Sequence, residues 1–298
     1  RFWRGGLMAT PHEAITSPEE IAYVNGRFMP LGEAVISIED RGFQFADGVY
    51  EVVATYRGQP YAIDEHMRRL QRSLGEIRID YDVEPLPPLV EEGIKRSGFD
   101  EALVYIQVTR GVAPRHHEFP AASPTPTVVM TVKQLQRPDS ILHENGVSVI
   151  STRDLRWKRC DIKSIALLPN ILAKQLAYEA GAYEALLIDD AGHVTEGSST
   201  SSFLVKGGVV YTTPAGSRIL PSITRSVLVE LIQKLNIPLQ EANSTLDDYR
   251  SADEVFLAGT TTEAMPVVAI DDTQIGGGEP GPVTRRIREA FVSSVRSG

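Results

Sequence analysis

The sequence contains a single cysteine, only seven lysines and no long apolar run. Cys160 is the only cysteine, so no disulfide can form within one chain, which fits a reducing compartment. No apolar run approaches the roughly 20 residues that a membrane-spanning helix needs. The net charge of −9 argues against a nucleic-acid partner, because a polyanion repels an acidic chain. The sequence therefore favours a cytoplasmic location without a membrane or nucleic-acid partner.

What is present has the composition of an ordinary globular protein. The 298 residues are 42% hydrophobic and 23% charged, which is enough for a sizeable core and two domains. We expect an N-terminal arm over residues 1–20, of which 1–7 precede Met8 as an upstream extension. A small α/β domain over 21–136 and a larger domain over 137–298 would follow. The boundary is placed within 133–146, which contains Pro138 and no sustained apolar pattern.

The pattern of apolar residues and turns predicts a mixed α/β (α+β) chain. In the first half it predicts a hairpin over 21–28, strands over 49–56, 61–63, 104–109 and 127–132, and a helix over 65–74 with Asp64 as its N-cap. In the second half it predicts a strand over 184–188, a hairpin of 202–205 with 209–212, and helices over 169–180, 224–234 and 284–295.

Lys163 is the strongest candidate for a catalytic residue in the sequence. It is one of only seven lysines, and it precedes the apolar run Ile165-Ala166-Leu167-Leu168, whereas the other six lie in settings that look exposed. A lysine at the edge of an apolar segment loses hydration, its pKa falls, and the neutral amine can attack a carbonyl. The same pattern also fits a partly buried structural lysine whose ammonium reaches water.

Other segments suit an anionic group. Ser222-Ile223-Thr224 opens a helix, and a helix N-terminus offers unpaired N–H groups and a favourable dipole. Thr260 and Thr261 follow an apolar strand and add hydroxyls and amides. Taken alone, these are equally a capped helix and a polar strand end. Glu196 precedes a serine cluster and by itself also fits a solvated turn.

Lys163 and five motifs occur in an order that is more specific than any one of them. The motifs are Gly48-Val49-Tyr50-Glu51, Pro114-Arg115-His116-His117, Thr195-Glu196-Gly197-Ser198-Ser199-Thr200-Ser201, Ile219-Leu220-Pro221-Ser222-Ile223-Thr224-Arg225 and Ala258-Gly259-Thr260-Thr261-Thr262-Glu263. The series resembles the fold-type IV (class IV) pyridoxal-phosphate-dependent aminotransferases, and most of all their D-amino-acid branch. The resemblance runs from about Tyr23 to the last helix. It implies a small N-terminal α/β domain and a larger domain with a β-barrel-like core.

The resemblance also implies how pyridoxal 5′-phosphate would be bound. Lys163 would hold the cofactor covalently, and Glu196 would keep the pyridine nitrogen protonated. The remaining cofactor-binding residues would be Arg69, Ser198, Ser199, Leu220, Ile223, Thr224, Thr260 and Thr261. Arg69 would be the cation for the phosphate, and Leu220 would pack against the ring.

The segment Pro114 to Pro120 carries the expected substrate site. Arginine binds a carboxylate bidentately, and residues i and i+2 of an extended segment point to the same side. By resemblance, Arg115 and His117 would bind the substrate α-carboxylate together with the Tyr50 phenol, in the site of the other subunit of a homodimer. The alternatives are a solvated basic loop or a weak metal cluster, but the spacing of His116, His117 and Glu118 suits no compact metal site.

The reaction implied by the resemblance is amino transfer from a D-amino acid such as D-alanine to 2-oxoglutarate. Branched-chain L-amino-acid aminotransferase, (R)-amine transaminase and aminodeoxychorismate lyase are alternatives on the same fold. Pro221-Ser222, in place of a lysine-glycine type of turn, and Ser201-Ser202, without an asparagine nearby, depart from the D-amino-acid pattern. A relative without activity that binds only the cofactor or a partner is a further alternative.

Overall fold

The computed structural model describes residues 18–297 and builds them around two β-sheets. The strands are β1 (Ile21–Val24), β2 (Arg27–Pro30), β3 (Gly48–Tyr56), β4 (Gln59–Pro60), β5 (Ala102–Thr109), β6 (Thr127–Gln134), β7 (Val147–Arg153), β8 (Glu184–Ile188), β9 (Val194–Gly197), β10 (Ser201–Lys206), β11 (Val209–Thr212), β12 (Leu239–Glu241), β13 (Glu254–Gly259), β14 (Glu263–Ile270) and β15 (Thr273–Gln274). The helices are α1 (Arg41–Phe45), α2 (Ile63–Glu76), α3 (Leu86–Ser97), α4 (Ser140–Asn145), α5 (Leu168–Glu179), α6 (Ile223–Lys234), α7 (Leu246–Arg250) and α8 (Pro282–Ser297).

The first sheet is antiparallel, with the order β2-β1-β6-β5-β3-β4. Successive side chains of a strand point to opposite faces, and one face carries the apolar set that packs under α2 and α3, including Val53, Ile106 and Met130. The opposite face, which includes Tyr50 and Tyr105, is only half buried. Within residues 18–297, helices therefore cover this sheet on one side only.

The second sheet is mixed, with the order β12-β11-β10-β13-β14-β7-β8-β9, and β15 pairs with β14. The strand pairs β7/β8, β7/β14 and β11/β12 are parallel, and the other pairs are antiparallel. The sheet curls into a half barrel, and α6 and α8 cover the apolar side chains around Phe203 and Phe256. The predicted fold class, a mixed α/β chain with a barrel-like second half, is confirmed.

The two sheets are joined by the segment that carries Lys163. The N–H of Tyr50 donates to the carbonyl of Lys163 (3.0 Å), and the N–H of Ile165 donates to the carbonyl of Gly48 (3.1 Å). Val49 and Ser164 form an antiparallel bridge between them. A short piece of the second half thus extends the first sheet at the start of β3, and this pairing fixes the backbone of Lys163.

Several local predictions are confirmed. The hairpin over 21–28 turns at Asn25 (φ 44°) and Gly26 (φ 95°), both in the left-handed region that two-residue hairpin turns require. The strand Glu184–Ile188 has the predicted bounds, and β10 pairs with β11 across Gly207 and Gly208. The predicted helices at 169–180, 224–234 and 284–295 are present, and their bounds differ by one or two residues.

Other local predictions are wrong. Residues 61–63 do not form a strand: Tyr61 and Ala62 turn, with Ala62 in the left-handed region (φ 52°), and α2 begins at Ile63. Asp64 is therefore not the N-cap but lies in the first helical turn, where a negative charge is favoured by the helix dipole.

The segment in which the domain boundary is predicted contains a short helix. The segment 133–146 contains α4, whose N-cap Asp139 accepts a hydrogen bond from the N–H of Ile141 (3.0 Å); six residues are too few for a visible apolar period. The two sheets divide between Gln134 and Val147, so a boundary at 136/137 falls between them, and the division into domains stays a prediction.

Most of the arm predicted over 1–20 lies outside the described residues. Its last part is bound, because the N–H of Glu19 donates to the carbonyl of Ser97 (2.9 Å).

Candidate active site

A cavity of about 510 Å³ lies where the Lys163 segment meets the second sheet. Nine of the residues predicted for the site line it: Tyr50, Arg69, Lys163, Glu196, Ser198, Ser199, Leu220, Ile223 and Thr260. Thr224 and Thr261 do not line the cavity but follow Ile223 and Thr260 directly in the chain. The structure thus brings together residues that are spread over most of the sequence.

Lys163 is the one lysine that is partly buried. The other six lysines, all within the described residues, are exposed as predicted. Its Nζ lies 4.3 Å from the centroid of the Tyr50 ring. Burial and the positive charge of Arg69 lower the pKa of the Lys163 ammonium to about 8, although the negative charges of Glu51 and Glu196 oppose this shift. About a tenth of the amine is therefore neutral at pH 7, far more than for an ordinary lysine, and the neutral amine is the nucleophile.

Glu196 lies on β9 and is 5% exposed. The N–H of Leu220 donates to both of its carboxylate oxygens, at 3.1 and 3.3 Å. Burial raises the pKa of Glu196, while the ion pair with Arg156 and the hydrogen bond from Leu220 act in the opposite direction. Glu196 is thus a carboxylate inside the cavity with one fixed cationic partner.

Arg156 was missed by the sequence reasoning. Its guanidinium is nearly buried and binds the Glu196 carboxylate on one side and Asp154 on the other, where Nε–Oδ1 is 3.0 Å and Nη2–Oδ2 is 2.8 Å. The side chain of Thr195 also donates to Asp154 (2.8 Å). Arg156 and Asp154 form an ordinary i, i+2 charge pair in the sequence, and no pattern there indicates that they lie behind Glu196.

Arg69 sits at the other end of the cavity, between α2 and the start of α6. Its Nε and Nη2 donate to the two oxygens of the buried Glu51 (2.7 Å each), and its Nη1 donates to the carbonyl of Pro221 (3.0 Å). Burial would raise the pKa of Glu51, but Arg69 and the hydrogen bond with His66 outweigh burial and hold it at about 2. Glu51 thus holds Arg69 firmly, a contact that the sequence reasoning did not foresee.

The start of α6 faces the same end. Ser222 is the N-cap, and its Oγ accepts from the N–H of Arg225 (3.2 Å). The amides of Ile223 and Thr224 precede that bond, in the first turn, where helical N–H groups have no partner within the helix. This end therefore combines a fixed guanidinium with helix N-terminal amides, which together suit a phosphate.

Ser198 and Ser199 are held from behind by Glu184, another residue that sequence reasoning missed. Glu184 is fully buried and accepts from Ser199 Oγ (2.7 Å) and from Ser198 Oγ. Gly197 has no room for a Cβ, which would lie 2.2 Å from Thr200 Oγ1. The serine turn is therefore rigid, and Glu184 could not be recognised beforehand because it reads as the first residue of an apolar strand.

Arg115 and His117 do not line the cavity. Both are exposed, and among residues 18–297 Arg115 makes no ion pair. Their side chains lie against Phe45, with Arg115 Cζ 4.5 Å and the His117 ring 5.6 Å from its centroid. In a single chain, then, the predicted carboxylate-binding pair is separated from the predicted cofactor site.

Comparison with known proteins identifies the family. The family model for amino-transferase class IV matches residues 48–270. The chain belongs to the class IV aminotransferases. It is 42% identical to a D-alanine aminotransferase of Staphylococcus haemolyticus over 92% of this chain and 98% of that protein, and 43% identical to one of Bacillus licheniformis over 92% and 96%.

Solved structures of branched-chain amino acid aminotransferases have the same fold as this class IV aminotransferase. The enzyme of Thermoproteus uzoniensis, solved with norvaline, superposes with a TM-score of 0.83 at 26% identity, covering 93% of this chain and 95% of that one. The Escherichia coli enzyme gives 0.83 at 25% identity, covering 92% and 94%. Residues 18–297 contain no helix that is long and apolar enough to cross a membrane.

The cavity fits the cofactor on which the family depends. Its donors and acceptors are those that pyridoxal 5′-phosphate needs: an amine of lowered pKa, a buried carboxylate, and a helix N-terminus beside a guanidinium. Ser201 Oγ, on the cavity wall, is buried and has no hydrogen-bond partner within residues 18–297. A buried hydroxyl in this position is costly unless a ligand satisfies it. No group of three or more histidine, cysteine, aspartate or glutamate side chains in the described part of the chain could hold a metal ion.

Proposed function

We propose that this class IV aminotransferase transfers the amino group of a D-amino acid such as D-alanine to 2-oxoglutarate, reversibly, giving a 2-oxo acid and D-glutamate. The observation that carries the proposal is the pairing, in one cavity, of the Lys163 amine at a lowered pKa with the buried carboxylate of Glu196. The D-alanine aminotransferases that are 42–43% identical over nearly the whole chain support the choice of substrate.

Pyridoxal 5′-phosphate, when bound, would accept the electrons that the substrate Cα releases on losing its proton. Lys163 would hold the cofactor covalently. When the substrate displaces it, the freed Nζ would take the proton from the substrate Cα as general base and deliver it, as general acid, to C4′ of the cofactor. The lowered pKa of Lys163 suits both roles, since a group near its pKa can accept and donate a proton at neutral pH.

Glu196 would be the anionic partner of the pyridine nitrogen and would keep it protonated. Arg156 stabilises the charged carboxylate in spite of its burial, so Glu196 can act as an anion in a site with little water. Arg69 together with the amides of Ile223 and Thr224 would bind the phosphate. Thr260 and Thr261, in the turn between β13 and β14, would also bind the cofactor. Leu220, whose N–H binds Glu196, would contact the ring, and Ser198 and Ser199 would add hydroxyl groups.

The substrate α-carboxylate would be bound by Tyr50, Arg115 and His117. Tyr50 lies in the cavity, but the other two are exposed on the same chain, so this site requires a second copy that brings its own loop to the cavity. We therefore propose a homodimer with shared active sites.

An exposed apolar surface beside the cavity supports this dimer. On α5, Leu168, Ile171 and Leu172 are 66%, 58% and 55% exposed, and Trp157 nearby is 49% exposed. Ile171 and Trp157 also line the cavity. A contiguous apolar surface of this kind marks an interaction site, and a second copy of the chain would cover it at the place where a partner's loop is needed.

A cytoplasmic location stays a prediction.

Branched-chain L-amino-acid transamination is the second candidate. It is favoured by the structural similarity at 25–26% identity and by Pro221-Ser222, where the sequence departs from the D-amino-acid pattern. A panel of D- and L-amino acids with 2-oxoglutarate separates the two. We expect D-alanine, but not L-leucine or L-valine, to bleach the visible absorbance of the cofactor-loaded protein and to yield D-glutamate. Turnover of the L-amino acids alone would contradict the proposal in favour of the alternative, and no turnover of any amino acid would indicate an inactive relative.

A further inference from the structure

Arg41 is a buried arginine outside the cavity, only 3% exposed, at the start of α1. Its guanidinium lies under the exposed tip of the loop over residues 111–126, which connects β5 to β6. Nη1 donates to the carbonyl of His116 (2.7 Å) and Nη2 to that of His117 (3.4 Å), and Nη1 also lies 3.5 Å from the carbonyl of Glu118. One side chain therefore binds three consecutive carbonyl groups of an otherwise exposed backbone.

Arg41 is itself fixed in place. Its Nε donates to Asp47 Oδ2 (2.8 Å), and Arg110 binds the same carboxylate through Nε (2.8 Å) and Nη2 (2.9 Å). Burial would raise the pKa of Asp47, but the hydrogen bonds from Arg110 and Arg41 outweigh it and hold that pKa below its usual value. Moving Arg41 away would remove one partner from a largely buried ion-pair cluster, which is unfavourable.

The loop is also closed at its base. Gly111 has φ +97°, and a Cβ there would lie 2.1 Å from the carbonyl oxygen of Thr125, so only glycine allows the two ends to approach this closely. Beyond the tip, the Phe119 ring lies 3.7 Å from Arg110 Cζ. A long polar loop is ordinarily mobile. This loop is held at three places: at its base by the close approach of Gly111 and Thr125, at its tip by Arg41, and after the tip by the contact of Phe119 with Arg110.

Within residues 18–297, the side chains of Arg115 and His117 make no hydrogen bond or ion pair, and their only ring contact is with Phe45. The Phe45 ring lies between Arg41 (4.8 Å from its centroid) and Arg115 (4.5 Å), and the His117 ring lies 5.6 Å away at an interplanar angle of 47°. The carbonyl groups of the tip point to Arg41, while the Arg115 guanidinium has no carboxylate partner among residues 18–297. The backbone is thus fixed and the functional side chains are presented outward.

We propose that Arg41 is a positioning residue for recognition of the substrate α-carboxylate. By binding the backbone of 116–118, it holds Arg115 and His117 in one orientation before substrate arrives. Bidentate binding of a carboxylate depends on that orientation, and a loop ordered in advance loses less entropy on binding. The inference rests on the proposed function, since it requires that this loop binds the carboxylate.

The test uses the full-length, cofactor-loaded protein with Arg41→Met, Arg41→Lys and Arg115→Met. For each we would measure kcat and KM for D-alanine, the inhibition constant of propionate (a carboxylate without an amine), and the affinity for the cofactor. Arg41→Met should raise both KM and the propionate inhibition constant about 10- to 100-fold, the range that loss of charge-assisted hydrogen bonds gives. Saturating kcat should change less than about threefold, and cofactor affinity should be unchanged, because Arg41 touches neither Lys163 nor Glu196.

The conservative and control variants make the result specific. Arg41→Lys keeps the charge beside Asp47 but places a point donor where a planar fork served three carbonyls, so the rise in KM should be smaller yet measurable. Arg153→Met is the matched control, since Arg153 is an exposed arginine that, in the described part of the chain, pairs only with the exposed Asp190, and it should leave all the constants unchanged.

Two results would overturn the inference. One is an unchanged KM in Arg41→Met when Arg115→Met raises KM. The other is a lower kcat, a higher KM and weaker cofactor binding, all changed to a similar extent in Arg41→Met, which would mean a general structural role. If Arg41→Met does not fold, an unchanged KM and propionate constant in Arg41→Lys overturns it. An unchanged KM in Arg115→Met would instead remove the loop from the proposed function, and the role of Arg41 with it.

Discussion

The cavity around Lys163 and the loop around Arg115 are built in opposite ways, although both are proposed to serve one reaction. In the cavity, Glu196 and Arg69 are buried and paired, Glu196 with Arg156 and Arg69 with Glu51. In the loop, the backbone is bound through Arg41 while the Arg115 side chain stays exposed and unpaired within residues 18–297. The cavity is ready to hold a cofactor, and the loop is ready for a ligand that its own chain does not bring to it.

This difference suggests a division of labour. Buried ion pairs fix charges and pKa values, which is what proton transfer at Lys163 and Glu196 needs. An exposed, ordered loop fixes direction without desolvating its charge in advance, which is what recognition of an incoming carboxylate needs. The following predictions ask whether the two regions fail in these two different ways when they are altered.

The largest effect is expected from Lys163→Ala. Losing both the covalent link and the proton carrier should reduce turnover of D-alanine by about 10⁴-fold or more. In the unaltered protein, borohydride should fix the cofactor to Lys163 alone, as peptide mapping would show. Label on Lys158 or on Lys174, a second lysine bordering the cavity, would remove Lys163 from the proposed role.

A smaller loss is expected from Glu196→Gln. The change keeps the size of the side chain but removes the charge opposite Arg156 and the cofactor ring, so stabilisation of the transition state should fall by about 3 kcal/mol, or roughly a hundredfold in rate. Cofactor affinity should remain, since the phosphate end is intact. Near-normal turnover in this variant would show that Glu196 is not the anionic partner.

The smallest effect concerns stability and its dependence on pH. Folding lowers the pKa of Lys163 from 10.5 to about 8, so between these values the unfolded chain binds more protons, and stability should rise with pH. In the cofactor-free protein, Lys163→Met should therefore raise the free energy of unfolding by about 1–3 kcal/mol at pH 7. This gain should shrink as the pH rises towards 10.5. Urea unfolding at about pH 7 and about pH 10 measures it, and a gain that grew with pH would contradict the lowered pKa.

The sequence predicted the residues that face the ligand better than those that support them. Lys163 stood out because it was the lysine beside an apolar run, and its exposure and pKa agree with that expectation. Arg156, Glu184 and Arg41 were missed, because each acts through a partner that lies 40, 14 and 75 residues away, respectively, and nothing local marks such contacts. Charged residues next to strands and turns are common, and only the fold shows which of them are buried.

The errors in the fold have a similar origin. Residues 61–63 looked like a strand because Tyr61 and Ile63 alternate with a small residue, but Ala62 takes a left-handed conformation and α2 begins at once. The pairing of Val49 with Ser164 across the two halves left no signal either, since it uses backbone groups. Patterns that depend on side-chain periodicity were predicted, and contacts made by the backbone over long distances were not.

Mixing two inactive variants tests the central claim, that the cavity of one chain works with the loop of another. Homodimers of Lys163→Ala and of Arg115→Ala should both be nearly inactive towards D-amino acids. Refolded together, they should form mixed dimers in which one of the two sites takes Lys163 from one chain and Arg115 from the other, so activity should reappear. If mixed dimers formed and the mixture stayed inactive, the cavity and the loop would have to act within one chain, and the shared site would be contradicted.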